Sequence, residues 1–461
     1  MALPSTEWKK YESYDIAVDP KQGDRATELR LTNFSRPHMR AFYISTFSFF
    51  IAFLSWFSFA PLMPEVKKDL GLTKNEVYSA NITAVTATVA ARFVIGPLCD
   101  TFGARQTFSL LLFLGCIPTY FSGLVQNAQD LTIIRFFIGI LGATFVCNQS
   151  WSSQMFAKEI IGVANATSAG WGNLGGGVTN IAMTALWNGF KTLTDSETAW
   201  RISFVVPATI VLLCSIAVLL IAEDCPKGDI KELVQHGAMV RKSSAKSASI
   251  AYKNYNSWVL FVHYACCFGV ELTVFNVCTT YFHDEFNLST TRASLVATLF
   301  GFMNIVCRSA GGILSDYGAR AFGSGYTGMR GRLVVQAICL LCEGAMILVF
   351  SKMDNLSSAV VVLVFFSIFV QMTEGSTYGI VPYVAPDATG AVSGIAGAGG
   401  NVGAICWGLI FRFGPPKPQD CFFILGWIVI ASAFTTPLIM IRGYDSLLLK
   451  ARGEPDAIDV I

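Results

Sequence analysis

Two arginines lie in stretches that otherwise carry no charge. Arg92 sits within 81–99 (NITAVTATVAARFVIGPLC) and Arg308 within 293–314 (ASLVATLFGFMNIVCRSAGGIL), 216 residues apart. A guanidinium stays protonated, so it must be paired, hydrated or bound to an anion. At the centre of a membrane helix it costs roughly 2.5–3.5 kcal/mol even on lenient scales. Two such charges at equivalent points fit a clamp for a small anion. Two acids in apolar surroundings, Glu271 and Glu374, are candidates to titrate beside that clamp. His263 and Tyr264 share the same helical stretch as Glu271, with His263 read first as a packing residue.

The elements that hold these residues follow from composition. The chain has 461 residues, 53% hydrophobic and only 14% charged, with mean hydropathy +0.52. Soluble domains carry about 25% charged residues. A membrane helix needs about 20 apolar residues. Twelve such runs fall near 41–63, 77–98, 106–125, 131–154, 161–187, 200–222, 257–283, 291–315, 332–351, 357–382, 390–412 and 420–441. Unbroken runs without ten-residue alternation argue against a β-barrel. The expected fold is therefore an all-α membrane protein of twelve transmembrane helices in two six-helix pseudo-repeats. The expected domains are an N-terminal segment 1–40, a bundle 41–222, a linker 223–256, a second bundle 257–441 and a tail 442–461. The linker is basic (Lys227, Lys231, Arg241, Lys242, Lys246, Lys253), and the positive-inside rule then puts linker and both termini in the cytoplasm. The polar first forty residues hold no hydrophobic signal region, so the first span is expected to act as the insertion signal. Asn287-Leu-Ser and Asn355-Leu-Ser are sequons on the opposite face.

Further marks repeat between the halves. Asp100 and Asp316 are also 216 apart. They lie in Gly96-Pro-Leu-Cys-Asp100-Thr-Phe-Gly103-Ala-Arg105 and Gly312-Ile-Leu-Ser-Asp316-Tyr-Gly318-Ala-Arg320. An acid at a helix end can pair with a basic group and close an inner gate, so Asp100, Arg105, Asp316 and Arg320 are the gating candidates. The fifth predicted span contains Gly170, Gly172, Asn173, Gly175 and Gly176. The eleventh contains Gly397, Gly399, Gly400, Asn401 and Gly403. Glycine is costly in an isolated helix but lets membrane helices approach closely. Packing does not explain a matched asparagine, whose amide can complete an anion's shell.

The loop motif resembles the signature of the major facilitator superfamily, and the paired Gly-Asn segments resemble those of its nitrate/nitrite porter family. Arg135-Phe-Phe-Ile-Gly139, Gly269-Val-Glu-Leu-Thr, Gly328-Met-Arg-Gly-Arg332 and Gly375-Ser-Thr-Tyr-Gly-Ile-Val-Pro382 are similar to the eukaryotic, plant and algal high-affinity branch. The resemblance implies the major facilitator fold and import of nitrate, with nitrite as a second substrate. It implies an anion clamp of Arg92 and Arg308, lined by Asn173, Asn401 and Tyr264. Nitrate is planar, and the guanidinium fork makes parallel hydrogen bonds to paired oxygens. The resemblance also implies a plasma-membrane location and a small single-span accessory membrane protein as partner.

The leading reading is a proton symporter working through Glu271 or Glu374. A nitrate/nitrite exchanger, sodium coupling and a nitrate sensor on a transporter fold are the alternatives. No nucleophile–base pair, metal-ligand spacing, cofactor motif or basic face is seen, so an enzyme, a metal site, a cofactor and a nucleic-acid partner are not expected. The thirteen cysteines read as small apolar packing residues. Phe47, Phe49, Phe50 and Phe53 include candidates to stack on a flat anion. Ser243, Ser244 and Ser247 lie among basic linker residues and read as possible phosphorylation sites.

Overall fold

The computed structural model describes residues 10–237, 243–288, 290–323, 328–415 and 417–451. Arg241 and Lys242 of the linker, Ser289 of the first sequon and the ends of both terminal segments lie outside the described residues. The first half runs α1 (His38–Trp56), α2 (Phe59–Leu70), α3 (Lys74–Phe102), α4 (Ala104–Phe121), α5 (Ala128–Gly139), α6 (Thr144–Met155), α7 (Ile161–Lys191), α8 (Ser196–Ser203) and α9 (Val205–Ile221). Two short helices follow, α10 (Ile230–Gln235) and α11 (Ser244–Lys253). The second half runs α12 (Tyr255–Phe286), α13 (Thr290–Phe302), α14 (Cys307–Ala321), α15 (Gly328–Phe350), α16 (Leu356–Tyr378), α17 (Val381–Val384), α18 (Thr389–Phe413) and α19 (Pro418–Ala433).

Among the described residues, 11 helical stretches are long and apolar enough to cross a membrane. α7 is not one of them, although its 31 residues reach about 46 Å, more than a bilayer core. Its hydropathy is lowered by Asn165, Thr167, Ser168, Asn173 and Thr179, all buried inside the protein. A helix lined by protein rather than lipid tolerates such residues.

Two spans are interrupted where function-bearing residues lie. The 3₁₀ turn Ile140–Ala143 separates α5 from α6, and the turn Met303–Ile305 separates α13 from α14. Buried apolar residues form one cluster that joins the first half to α12 and α18, and a second cluster within the second half. The two halves are therefore packed against each other rather than parted.

Residues 10–37 are not a loose polar arm. Val18–Asp19 and Arg25–Ala26 form a two-stranded antiparallel ladder, the one strand pair among the described residues. The ladder docks on the loop before α7, where Ala157 N–H donates to Ala26 O at 2.8 Å and Lys158 N–H to Gln22 at 3.0 Å.

Glycine allows the crossings between halves. A Cβ on Gly312 of α14 would lie 2.2 Å from Gly162 O of α7, and one on Gly96 of α3 would lie 2.5 Å from Gly390 O of α18. Overpacking of this kind costs about 1–3 kcal/mol or more. Gly312→Val is expected to lower the thermal unfolding midpoint in detergent by several degrees. An unchanged midpoint would show that the α7–α14 crossing is not tight.

Candidate functional site

Arg92 projects from the middle of α3 and is fully buried. Its Nε and Nη2 donate to the Gly142 carbonyl at 3.1 and 2.9 Å, at the break between α5 and α6. Its Nη1 donates to the Gly397 carbonyl of α18, in the other half. Its Cζ lies 5.0 Å from the Phe145 ring centroid and 5.3 Å from that of Phe268. Among the described residues, no carboxylate lies within ion-pair distance of it. Its positive charge is met by carbonyl dipoles and ring faces.

Arg308 is equally buried but differently partnered. It forms an ion pair with Glu374 of α16 and donates to the Tyr264 hydroxyl of α12. Glu271 of α12 lies 3.8 Å away. That carboxylate accepts from the amides of Asn304 at 2.6 Å and Gln371 at 3.2 Å, with Asn173 at 3.5 Å. The two arginines that the sequence presents as equivalent are thus electrostatically distinct: one is neutralised by a carboxylate, the other is not.

Rings fill the space between them. Phe145 lies 5.0 Å from the Arg92 Cζ and 5.7 Å from the Arg308 Cζ. It stacks on Phe268 at an interplanar angle of 11° and on Tyr264 at 24°, and meets Tyr378 edge-on. Tyr378 donates to Ser393 O at 3.1 Å. The helix 1 phenylalanines do not take this place: Phe49 packs on Phe53 and Phe145, and Phe47 is exposed.

The two asparagines differ in what they face. The Asn173 amide faces Glu271, and that of Asn401 faces its own helix at Gly397 O, 3.5 Å away. Each carbonyl oxygen, Asn173 Oδ1 and Asn401 Oδ1, is buried without a hydrogen-bond partner. Of the nearby glycines, Gly170 gives room to Asn304 O and the Arg308 stem, and Gly397 to the Arg92 guanidinium. Gly172 and Gly175 receive Phe49 and Phe50 of α1, and Gly176 lies under Phe57. Gly399, Gly400 and Gly403 receive Phe261, Phe268 and Ala265 of α12.

At the linker end, Asp100 accepts from the Gly390 and Ala391 N–H groups at 2.9 and 3.0 Å, and from the Ser247 hydroxyl of α11. Asp316 does the same for α7, accepting from Gly162 and Val163 N–H at 3.1 and 2.7 Å. Each acid therefore caps the N-terminus of a helix in the opposite half, where the first-turn donors are unsatisfied and the dipole is positive. The basic partners differ from those expected. Arg105 does not cross between halves; it pairs with Asp224 at 3.3 Å and Asp229 at 3.1 Å and donates to Leu219 and Ala222 carbonyls. Arg320 is exposed and reaches Glu159 O only at 3.5 Å. Buried Arg332 supplies the cation instead, 2.6 Å from Asp316, while also reaching Lys158 O and the Tyr383 hydroxyl.

A match to the Major Facilitator Superfamily model spans residues 45–407. High affinity nitrate transporter 2.5 of Arabidopsis thaliana is 39% identical over 92% of this chain and 84% of its own. Nitrate transporter 2.1 of Chlamydomonas reinhardtii is 37% identical over 93% of this chain and 79% of its own. The chain belongs to the major facilitator superfamily, in the branch of the plant and algal high-affinity nitrate transporters. It is accordingly a multi-pass membrane protein. The crystal structure of the Escherichia coli fucose:proton symporter FucP shares the major facilitator fold, with a TM-score of 0.64, 12% identity and coverage of 87% of this chain and 99% of that one.

Within this major facilitator frame, several residues carry more than their sequence signals showed. Arg332 lies in the Gly-Met-Arg-Gly-Arg run but gives no hint there of its partner. Phe145 is one of 36 phenylalanines. Glu343 is a third acid in an apolar span, and its signal was present: a lone carboxylate in 332–351. His263 is buried against the Thr435 hydroxyl at 2.8 Å, consistent with a packing role.

The Asp224 side chain anchors the linker to α4. Burial pushes its carboxyl up to about 6 from 3.8, with Arg105 opposing the shift. Between pH about 4 and 6 the folded protein holds a proton that the unfolded chain has released, so this group's contribution to stability falls as pH rises through that window. Asp224→Asn removes that titration. Its Tm relative to wild type is expected to climb as pH rises from about 4 to about 6; a constant difference would contradict the assignment.

Proposed function

We propose that this chain imports nitrate, with nitrite as a second substrate, by alternating access and with proton symport. The reading rests on one observation: two arginines and two carboxylates are buried around the same rings, and among the described residues only Arg308 of the two arginines is paired with a carboxylate. Their formal charges cancel. An added monovalent anion would leave a net negative charge in a low-dielectric site, and a proton on Glu374 restores neutrality. Glu374 is itself a planar, two-oxygen anion seated on the Arg308 fork. Protonated, it releases that fork, and nitrate bridges towards Arg92 in its place. Anion affinity and proton affinity then rise together, as linkage requires. Glu271, held by three amides, stays as the fixed counter-charge.

The matched caps at Asp100 and Asp316 support alternating access, because rocking the halves must release both helix N-termini from the same end. Lys158, Arg105, Arg320 and Arg332 gather at that end, which supports reading it, and both termini with it, as cytoplasmic. Nitrate as the substrate is supported by the plant and algal relatives, which are nitrate transporters; the reading also takes in a plasma-membrane location and a small single-span accessory partner.

Tracer nitrate uptake into proteoliposomes tests the reading. An inward proton gradient should drive accumulation, and nitrate should evoke proton entry. The second reading, nitrate/nitrite exchange, is favoured by Arg308 being already neutralised by Glu374, which would leave Arg92 alone to hold the anion. It requires accumulation only with internal nitrite and no response to the proton gradient.

A further inference from the structure

The interface between α15 and α16 carries a polar stripe that the anion site does not use. Near one end Arg332 pairs with Asp316. One turn on, both polar atoms of the Gln336 side chain have partners: its amide donates to Thr377 at 2.9 Å and its carbonyl accepts from Ser376 at 2.5 Å. Two turns further, about 10 Å along the helix, the same face presents Glu343. It is fully buried, and neither carboxyl oxygen has a hydrogen-bond partner. The Thr373 hydroxyl is, among the described residues, its one polar neighbour close enough to interact, and that hydroxyl's own proton goes to Phe369 O at 2.8 Å. Among the described residues, no Lys, Arg or His lies within ion-pair distance.

The ionisable neighbours are few. α12 brings Cys266 and Cys267, α15 itself brings Cys339, and α16 brings Glu374. α19 closes on the adjacent Gly344 with Gly426 and Ile430. Ionised, Glu343 would be an uncompensated charge inside the membrane domain. A purely structural polar group at this interface would be satisfied, as Gln336 is. Glu374 follows Thr373 directly, and its Oε1 is likewise without a partner.

We propose that Glu343 is a proton-holding group of the transport cycle that exchanges its proton with Glu374 through the Thr373 side of α16. The step moves one proton through the pair: Glu343 hands its proton to Glu374, which frees Arg308 for the anion, and the incoming symported proton reprotonates Glu343, so the site with its anion is neutral and no bare carboxylate is left there. The inference rests on the proton-coupled reading. Glu343 touches neither arginine, so it serves the proton and not the anion.

Glu343→Gln and Glu343→Asp are compared with wild type in proteoliposomes with tracer nitrate. Glu343→Gln should lower proton-driven accumulation by about tenfold or more, while nitrate self-exchange without a gradient is retained. Glu343→Asp should restore part of the accumulation with a displaced pH profile. Wild-type accumulation in Glu343→Gln, or equal loss of accumulation and self-exchange, would overturn the proposal. If Glu343→Gln does not fold, an unchanged pH profile in Glu343→Asp overturns it. Failure of the underlying reading is visible separately, as wild-type protein that ignores the proton gradient.

Discussion

Arg92→Lys should reduce nitrate uptake roughly 100-fold while the protein still reaches the membrane. The Arg92 fork spans two carbonyls on different elements, Gly142 and Gly397, across the two halves. An ammonium keeps the charge but is a point donor on a flexible stem, and it cannot reproduce the planar fork. In the proposed clamp the fork also loses its paired hold on the anion: two charge-assisted bonds, each about 1.5 kcal/mol, amount to about 3 kcal/mol and hence roughly two decades in rate or affinity. Because no carboxylate holds Arg92, the substitution leaves no orphaned acid, and folding should suffer less than transport. Tracer uptake normalised to protein in the membrane checks this. Uptake within a few-fold of wild type would remove Arg92 from the clamp.

Glu374→Gln should separate anion movement from proton movement. Removing one partner of a buried ion pair costs about 3–5 kcal/mol when nothing replaces it. Here Glu271, 3.8 Å from the same guanidinium, offsets part of that loss. The variant's Arg308 is permanently released, so nitrate binding should become tighter at neutral pH and lose its pH dependence. Self-exchange should persist, and accumulation against a gradient should disappear. Retained pH-driven accumulation would assign the pair a static role, and coupling would then have to lie elsewhere.

How much of this was legible in the sequence differs by residue. Arg92, Arg308, Glu271 and Glu374 stand out because a charge in an apolar run is conspicuous without any coordinates. The twelve predicted spans fall on helical segments for the same reason, although the fifth, α7, owes its place in the bundle to burial rather than to hydropathy. The N-terminal segment read only as polar, yet it forms a ladder docked beside Lys158, because its bonding partners lie more than a hundred residues away. Asn173 and Asn401 were visible as a matched pair. That one faces Glu271 and the other its own helix was not visible, since matched positions in two repeats do not have matched neighbours.

Composition and spacing by themselves determined the membrane class, the spans, the paired Gly-Asn and Asp marks and the two intramembrane cations. These are local properties, expressed in the residue types of a single helix. Tertiary structure alone decided that Arg308 is neutralised and Arg92 is not, that Arg332 rather than Arg105 or Arg320 pairs with Asp316, and that Glu343 is left without a partner. Those choices depend on how helices cross and rotate. Arg92 meets Gly397 across 305 residues, and Arg308 meets Glu374 across 66. A buried charge takes whichever partner the packing brings within about 4 Å, and the spacing along one helix does not contain that information.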